Sequence, residues 1–126
     1  MDLEKVEWLS PPALEPGEKH LNCCQQTLIA GCELLGVSPE EAERLGYYFG
    51  GGMRCGGTCG PVNAVLMILG HLYGDDPACA DYGKDFLIAF AQANGSWLCS
   101  DIKDEEHIRC EAAIEFAKDY LNKLPR

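Results

Sequence analysis

The chain has no apolar stretch approaching the ~20 residues that a membrane-spanning helix needs. Its most apolar run, Val62 to Leu69, is broken soon after by Gly70 and His71. The first residues, Met1-Asp2-Leu3-Glu4-Lys5-Val6-Glu7, are charged and lack the apolar segment of a secretory signal. A cytoplasmic protein with reduced or metal-bound thiols is therefore expected. Positive charge is scarce: 10 Lys and Arg stand against 20 Asp and Glu, a formal charge of −10, and no basic stripe offers itself to a phosphate backbone. Tandem Cys-x-x-Cys pairs are missing, as is Cys-x-x-Cys-His, so neither a zinc knuckle nor a covalently attached haem is indicated. No phosphate-loop motif or Ser–His–acid set suggests a hydrolase or a nucleotide enzyme. Alternating strand patterns, internal repeats and low-complexity tracts are also lacking.

What is plentiful is cysteine, eight residues in 126, within a chain that is 47% hydrophobic and so able to build one core without disulfide staples. Residues 1–18, with Pro11, Pro12, Pro16 and Gly17, read as an N-terminal arm in which Leu3 to Leu9 forms a short helix or docks Trp8 on the body. Residues 19–126 read as one helical domain. Lys19 to Leu35 is helical in pattern, with Leu21, Cys24, Leu28, Cys32 and Leu35 on one face and Cys23, Thr27, Ala30 and Leu34 on the other. Ser38-Pro39-Glu40-Glu41 has the form of a helix start, and that helix is expected to run to about Phe49. A third helix opens at Cys59 or Gly60 and ends at Gly74; a fourth carries Phe86, Leu87, Phe90 and Ala91 to Asn94-Gly95. The last begins near Asp104, with Cys110, Ala113, Ile114, Ala117, Leu121 and Leu124 as its buried stripe. The expected architecture is all-α, a bundle of about five helices with a glycine-rich cysteine loop before the third.

A buried free cysteine is usually a small hydrophobe. Cys24 and Cys32 lie on the leucine stripe and Cys79 stands beside alanines, so these three are assigned to the core. Cys59 differs, because it follows Gly50-Gly51-Gly52-Met53-Arg54-Cys55-Gly56-Gly57-Thr58 and opens an apolar helix, where a helix N-terminus lowers a thiol pKa. Cys23 faces away from the Leu21 stripe, and Cys99, in a loop, and Cys110, on a helical face, suit ligands that converge from different elements. Cys55 pairs loosely with Cys59 across three residues, as a dithiol or an extra ligand. His20 and His107 neighbour Cys23 and Cys110 and read first as surface residues, His71 as a core or boundary residue, and Asp101, Asp104, Glu105 and Glu106 as acids at a helix start. Trp8 and Trp97 are read as packed on the bundle.

These residues resemble the C-GCAxxG-C-C family of redox-type proteins over roughly residues 19 to 124. Asn22-Cys23 resembles the family's first cysteine, Phe49-Gly50-Gly51-Gly52-Met53 its glycine loop, Cys59-Gly60 its motif, Cys99 after Asn94-Gly95-Ser96 its third cysteine and Cys110 its fourth. In the motif Pro61 stands in place of alanine and Ala64 in place of glycine, and the segment from Cys99 to Cys110 is short. The resemblance, which extends to a domain of split-Soret cytochromes, implies a non-haem iron–sulfur centre. It would be [2Fe–2S]-like, on Cys23, Cys59, Cys99 and Cys110, with amides of Gly51, Gly52, Gly57 and Gly60 facing it, and would serve electron transfer with a redox partner protein. A homodimer is compatible with it. Two other readings stand beside this one: a thiol–disulfide oxidoreductase or redox sensor using Cys59 with Cys55 or Cys23, and a structural four-cysteine zinc module.

Overall fold

The computed structural model describes residues 2–9, 14–104, 106 and 108–125. Among these residues the chain is helical with no strand, and five longer helices make up the bundle: α1 (Cys23–Ala30), α3 (Pro39–Leu45), α4 (Gly60–Tyr73), α5 (Tyr82–Asn94) and α7 (Ile108–Asn122). Two single turns, α2 (Cys32–Leu35) and α6 (Cys99–Ile102), complete the set.

The first helix starts four residues later than periodicity alone suggests. Asn22 takes the N-cap: its side chain accepts from the Gln25 amide at 2.8 Å while the Gln25 side chain accepts from the Asn22 amide at 2.9 Å. That reciprocal pair satisfies donors the helix itself leaves orphaned. Gly31 then separates α1 from α2, and a Cβ there would stand 2.5 Å from Ile68 Cδ1, so α4 crosses against bare backbone. The helix expected to reach Phe49 stops at Leu45, with Tyr47–Phe49 continuing as a 3₁₀ turn. Its C-terminal carbonyls are already used, because Asn22 Nδ2 donates to Gly46 O at 3.1 Å and Tyr47 O at 3.2 Å. The last helix begins at Ile108, after the acids, and Asp104 accepts from the Arg109 amide from outside it.

α1 is the central element and packs most extensively on α4, with α3 and α7 on its other sides, while α5 covers α4 and α7. Leu28, Val62, Val65, Ile68, Phe86 and Phe90 are fully buried, each contributing ~1.5–3 kcal/mol of hydrophobic stabilisation. Phe86 anchors an aromatic cluster, with ring centroids 4.7 Å from Tyr120 and 5.8 Å from Phe90. Cys24 and Cys32 belong to this core as expected, but Cys79 does not: it is half-buried in a surface turn. His71 is exposed rather than at the boundary, as are Trp8 and Trp97. Residues 2–9 contain turns and no helix, and Trp8 Nε1 donates locally to Leu3 O. The residue that docks is Leu9, whose amide donates to Arg54 O at 2.6 Å. Pro11, Pro12, Glu105 and His107 lie outside the described residues.

The glycine loop between α3 and α4 is a left-handed turn. Gly51, Gly52, Met53 and Arg54 all have φ near +60°. For Met53 and Arg54 that conformation costs about 1–2 kcal/mol each, since Cβ crowds the carbonyl. The turn is held by the Gly57 amide donating to Gly52 O at 2.8 Å and by the Arg54 guanidinium lying 5.0 and 5.4 Å from the Tyr47 and Tyr48 ring centroids. Met53 is 41% exposed, so its side chain returns little packing. Met53→Gly should therefore stabilise the protein by about 0.5–1 kcal/mol net, the released strain exceeding glycine's greater unfolded-state entropy. A rise in the urea midpoint at constant slope is the expected observation.

Candidate functional site

Four cysteines from four elements meet at one place. Cys23 is the first residue of α1, Cys59 the N-cap of α4, Cys99 the first residue of α6, and Cys110 lies in the first turn of α7. Every pair among them is close enough that a charge on one disfavours a charge on another. All four thus occupy starts of helices or helical turns, where backbone N–H groups point outward and favour negative charge. The sequence pattern places Cys59 and Cys23 near helix starts, and the family resemblance places Cys110 at the opening of the last helix. Cys99 was expected in a loop, but its amide donates to Gly57 O at 2.7 Å and that of Cys59 to Trp97 O at 2.9 Å, so the loop is tied into a Thr58–Leu98 bridge that ends in a turn of helix.

Glycines make the approach possible. A Cβ on Gly60 would stand 2.6 Å from Cys23 Sγ and 2.7 Å from Cys24 N; one on Gly52 would stand 2.6 Å from Cys99 Cβ and from Gly57 N. Gly60 therefore lets α4 begin in contact with α1, and Gly52 lets the left-handed turn pack on Cys99. Gly57 joins these two through its hydrogen bonds, and Gly51 lies under Leu9. Pro61 is accommodated in the first turn of α4, as its sequence position implies, and Ala64 is fully buried.

Cys23, Cys99 and Cys110 line a cavity of about 600 Å³ that also has Leu9, Leu14, His20, Arg54 and Lys103 in its walls. Cys59 does not line it and is only 5% exposed. Cys55 donates its Sγ to Gly52 O at 3.5 Å and acts weakly on Cys99. Among the described residues, no three His, Cys, Asp or Glu side chains converge closely enough to hold one metal ion.

Burial dominates the ionisation of these thiols. It pushes Cys99 up to about 11 and Cys59 well above the ordinary range, with the neighbouring thiols adding to both effects. Cys23 and Cys110 are raised as well, mainly by burial, although the Gly60 amide pulls Cys23 the other way. The low-pKa Cys59 expected from its helix position is thus reversed: the helix start is there, but desolvation outweighs it. Cys24, deep in the core beside Cys23, is pushed up to about 12.

These shifts carry a sign for stability. An unfolded thiol ionises near its model value of 9.0, whereas the folded metal-free chain holds its buried thiols protonated to about 11 or 12. Across that window the unfolded state binds fewer protons, so stability is intact below pH 9 and falls as pH rises, by about 1.4 kcal/mol per unit for each retained thiol. Urea denaturation of metal-free protein at pH 7, 9 and 10 should show this fall, and Cys24→Ala should make it shallower.

Two polar atoms among the described residues are buried without a partner: Asn63 Nδ2, one helical turn after Cys59, and Asp104 Oδ1. Asp104 acts directly on the ionisation of Cys110. An orphaned buried donor such as Asn63 Nδ2 costs ~1–3 kcal/mol.

A family model described as "Putative redox-active protein (C_GCAxxG_C_C)" matches residues 21–124, and the chain belongs to that family. No curated protein and no solved structure matches it.

Proposed function

From this redox-active family membership and the thiol geometry, we propose that Cys23, Cys59, Cys99 and Cys110 hold an iron–sulfur centre of the [2Fe–2S] type, used for electron transfer with a redox partner protein in a reducing compartment. The observation that carries the reading is the convergence of four thiols from four helix or turn starts, three of them lining one cavity. A four-thiolate cluster is anionic and is stabilised by outward-pointing amides; apolar surroundings restrict water and tune its potential. When bound, such a centre supplies one-electron redox capacity. The chain contributes the ligands, the Gly60 amide that hydrogen-bonds to Cys23 and a buried position at Cys59.

The donor set fits a cluster better than the alternatives. One tetrahedral zinc ion with ~2.3 Å bonds draws its sulfurs to about 3.8 Å of one another. A two-iron core instead takes two thiolates at each iron, so its four ligands span a wider site. The disulfide reading needs an ionised attacking thiol, and burial keeps Cys59 protonated. Should it hold, Cys23 is the partner at hand, since it is the thiol that acts most strongly on Cys59.

Anaerobic purification followed by iron, sulfide and zinc analysis and a visible spectrum tests the proposal. Iron and inorganic sulfide in equal amounts, with broad absorption bleached by dithionite, is the expected result. Stoichiometric zinc without iron would mean a structural module, and a colourless metal-free protein with selective alkylation of Cys59 would mean thiol–disulfide chemistry.

A further inference from the structure

We infer that the cavity in front of the thiols is a binding chamber for a small organic anion, a carboxylate with an apolar body, held by Arg54 and Lys103. At about 600 Å³ the space lies within the roughly 300–1,000 Å³ range of small-molecule sites. The thiols take up one wall of it. Leu9, Leu14, Leu21 and Ile114 supply an apolar lining besides the thiols Cys23, Cys99 and Cys110.

Charge selects the class of ligand. The protein as a whole carries −10, yet this cavity holds two of its ten strong cations against one acid, Glu111. Among the described residues neither Arg54 nor Lys103 has a carboxylate within ion-pair distance; the four pairs present are elsewhere. Lys103 lies close enough to Cys99 and Cys110 to favour their charged forms, which puts its ammonium at the thiol end of the chamber.

Arg54 is fixed more firmly still. It sits at φ +64°, and its guanidinium is held over Tyr47 and Tyr48 with Nη2 donating to Tyr47 O at 3.5 Å. Glycine would occupy that backbone position without the ~1–2 kcal/mol strain. Strained non-glycine residues are concentrated at ligand sites, where the surroundings hold a side chain in place for use. A cation braced against two rings at a cavity wall, with donors left over, is suited to bind a carboxylate.

This inference requires the cavity and its two cations, not a metal, so it stands or falls separately from the cluster. Titration of the full-length chain with benzoate, benzamide and sulfate at pH 7 and low salt, followed by calorimetry and amide chemical shifts, tests it on both metal-free and metal-loaded protein. Saturable benzoate binding is expected, with shifts at Gly51–Arg54, Cys99–Lys103 and Ile114, and benzamide at least about tenfold weaker. Loss of one charge-assisted hydrogen bond corresponds to tenfold or more in affinity. Lys103→Gln and Arg54→Gly should each show that loss, while Glu111→Gln should tighten binding by removing the opposing charge. Arg54→Gly exchanges its aromatic contact for relief of strain, so its stability should stay near that of the parent. Absence of saturable benzoate binding in both forms would overturn the proposal. So would equal binding of benzamide, sulfate competing as well as benzoate, or no effect of either cation variant.

Discussion

Gly60→Ala should destabilise the protein by about 2–3 kcal/mol and leave it unable to retain metal at the thiol site. The added methyl would stand 2.6 Å from Cys23 Sγ, 2.7 Å from Cys24 N and 3.0 Å from Cys24 Cβ. Two of those neighbours are the backbone and Cβ of a fully buried residue on the central helix, so no flexible chain end can swing aside. The start of α4 must retreat from α1, at the typical cost of overpacking a close-packed core. Since Cys59 caps α4 and Cys23 opens α1, the same retreat separates two of the four thiols. Gly70→Ala, on the same helix, is the control: nothing lies within 4 Å of its Cβ, and replacing an exposed mid-helix glycine should add about 0.5–1 kcal/mol. A denaturation midpoint and a metal content for each variant check the pair. Equal stability and equal metal retention in the two alanine variants would show that the Gly60 contact is not what brings the thiols together.

The contrast between those glycines marks where the sequence is legible. Residue periodicity locates the long helices because a stripe such as Ala113, Ile114, Ala117 and Leu121 has one way to be buried, and these four are buried. Local capping chemistry was readable too: Ser38 accepts from the Glu41 amide, and Asn22-x-x-Gln25 carried a capping signal that would have placed the start of α1 correctly. The four cysteines could be separated from the core thiols by position, and of their helix or turn starts the one that could not be foreseen is that of Cys99. Cys99 owes its turn of helix to a bridge between Thr58 and Leu98, forty residues apart, which leaves no mark on local pattern. The left-handed conformation of Met53 and Arg54 is equally silent, since neither residue favours it and tertiary contacts with Tyr47, Tyr48 and Leu9 impose it. For the same reason the cationic wall of the cavity was missed: Arg54 and Lys103 belong to no motif and meet only in the fold.

Replacing the eight cysteines one at a time by serine should divide them into two groups by metal content. Cys23→Ser, Cys59→Ser, Cys99→Ser and Cys110→Ser should each lose most of the iron and the visible absorption, because a hydroxyl is a far poorer ligand than a thiolate for a four-thiolate centre. Cys59→Ser should be the most severe. Its side chain is 5% exposed and does not line the cavity, so water and buffer thiols are kept from the vacated position, whereas at Cys99 the neighbouring Cys55 can substitute in part. Cys55→Ser and Cys79→Ser should keep full metal, the first because its thiol is held by the Gly52 carbonyl and is the weakest of the groups acting on Cys99, and the second because it lies in a surface turn. Cys24→Ser and Cys32→Ser should also keep their metal while losing stability, about 1–3 kcal/mol for a hydroxyl buried without a partner. Metal content and stability thus separate: the core thiols change the denaturation midpoint with little change in iron, and the site thiols change the iron. If Cys59→Ser retained full iron and sulfide while Cys55→Ser lost them, the ligand would be Cys55, and the left-handed turn rather than the start of α4 would be the arm that holds the centre.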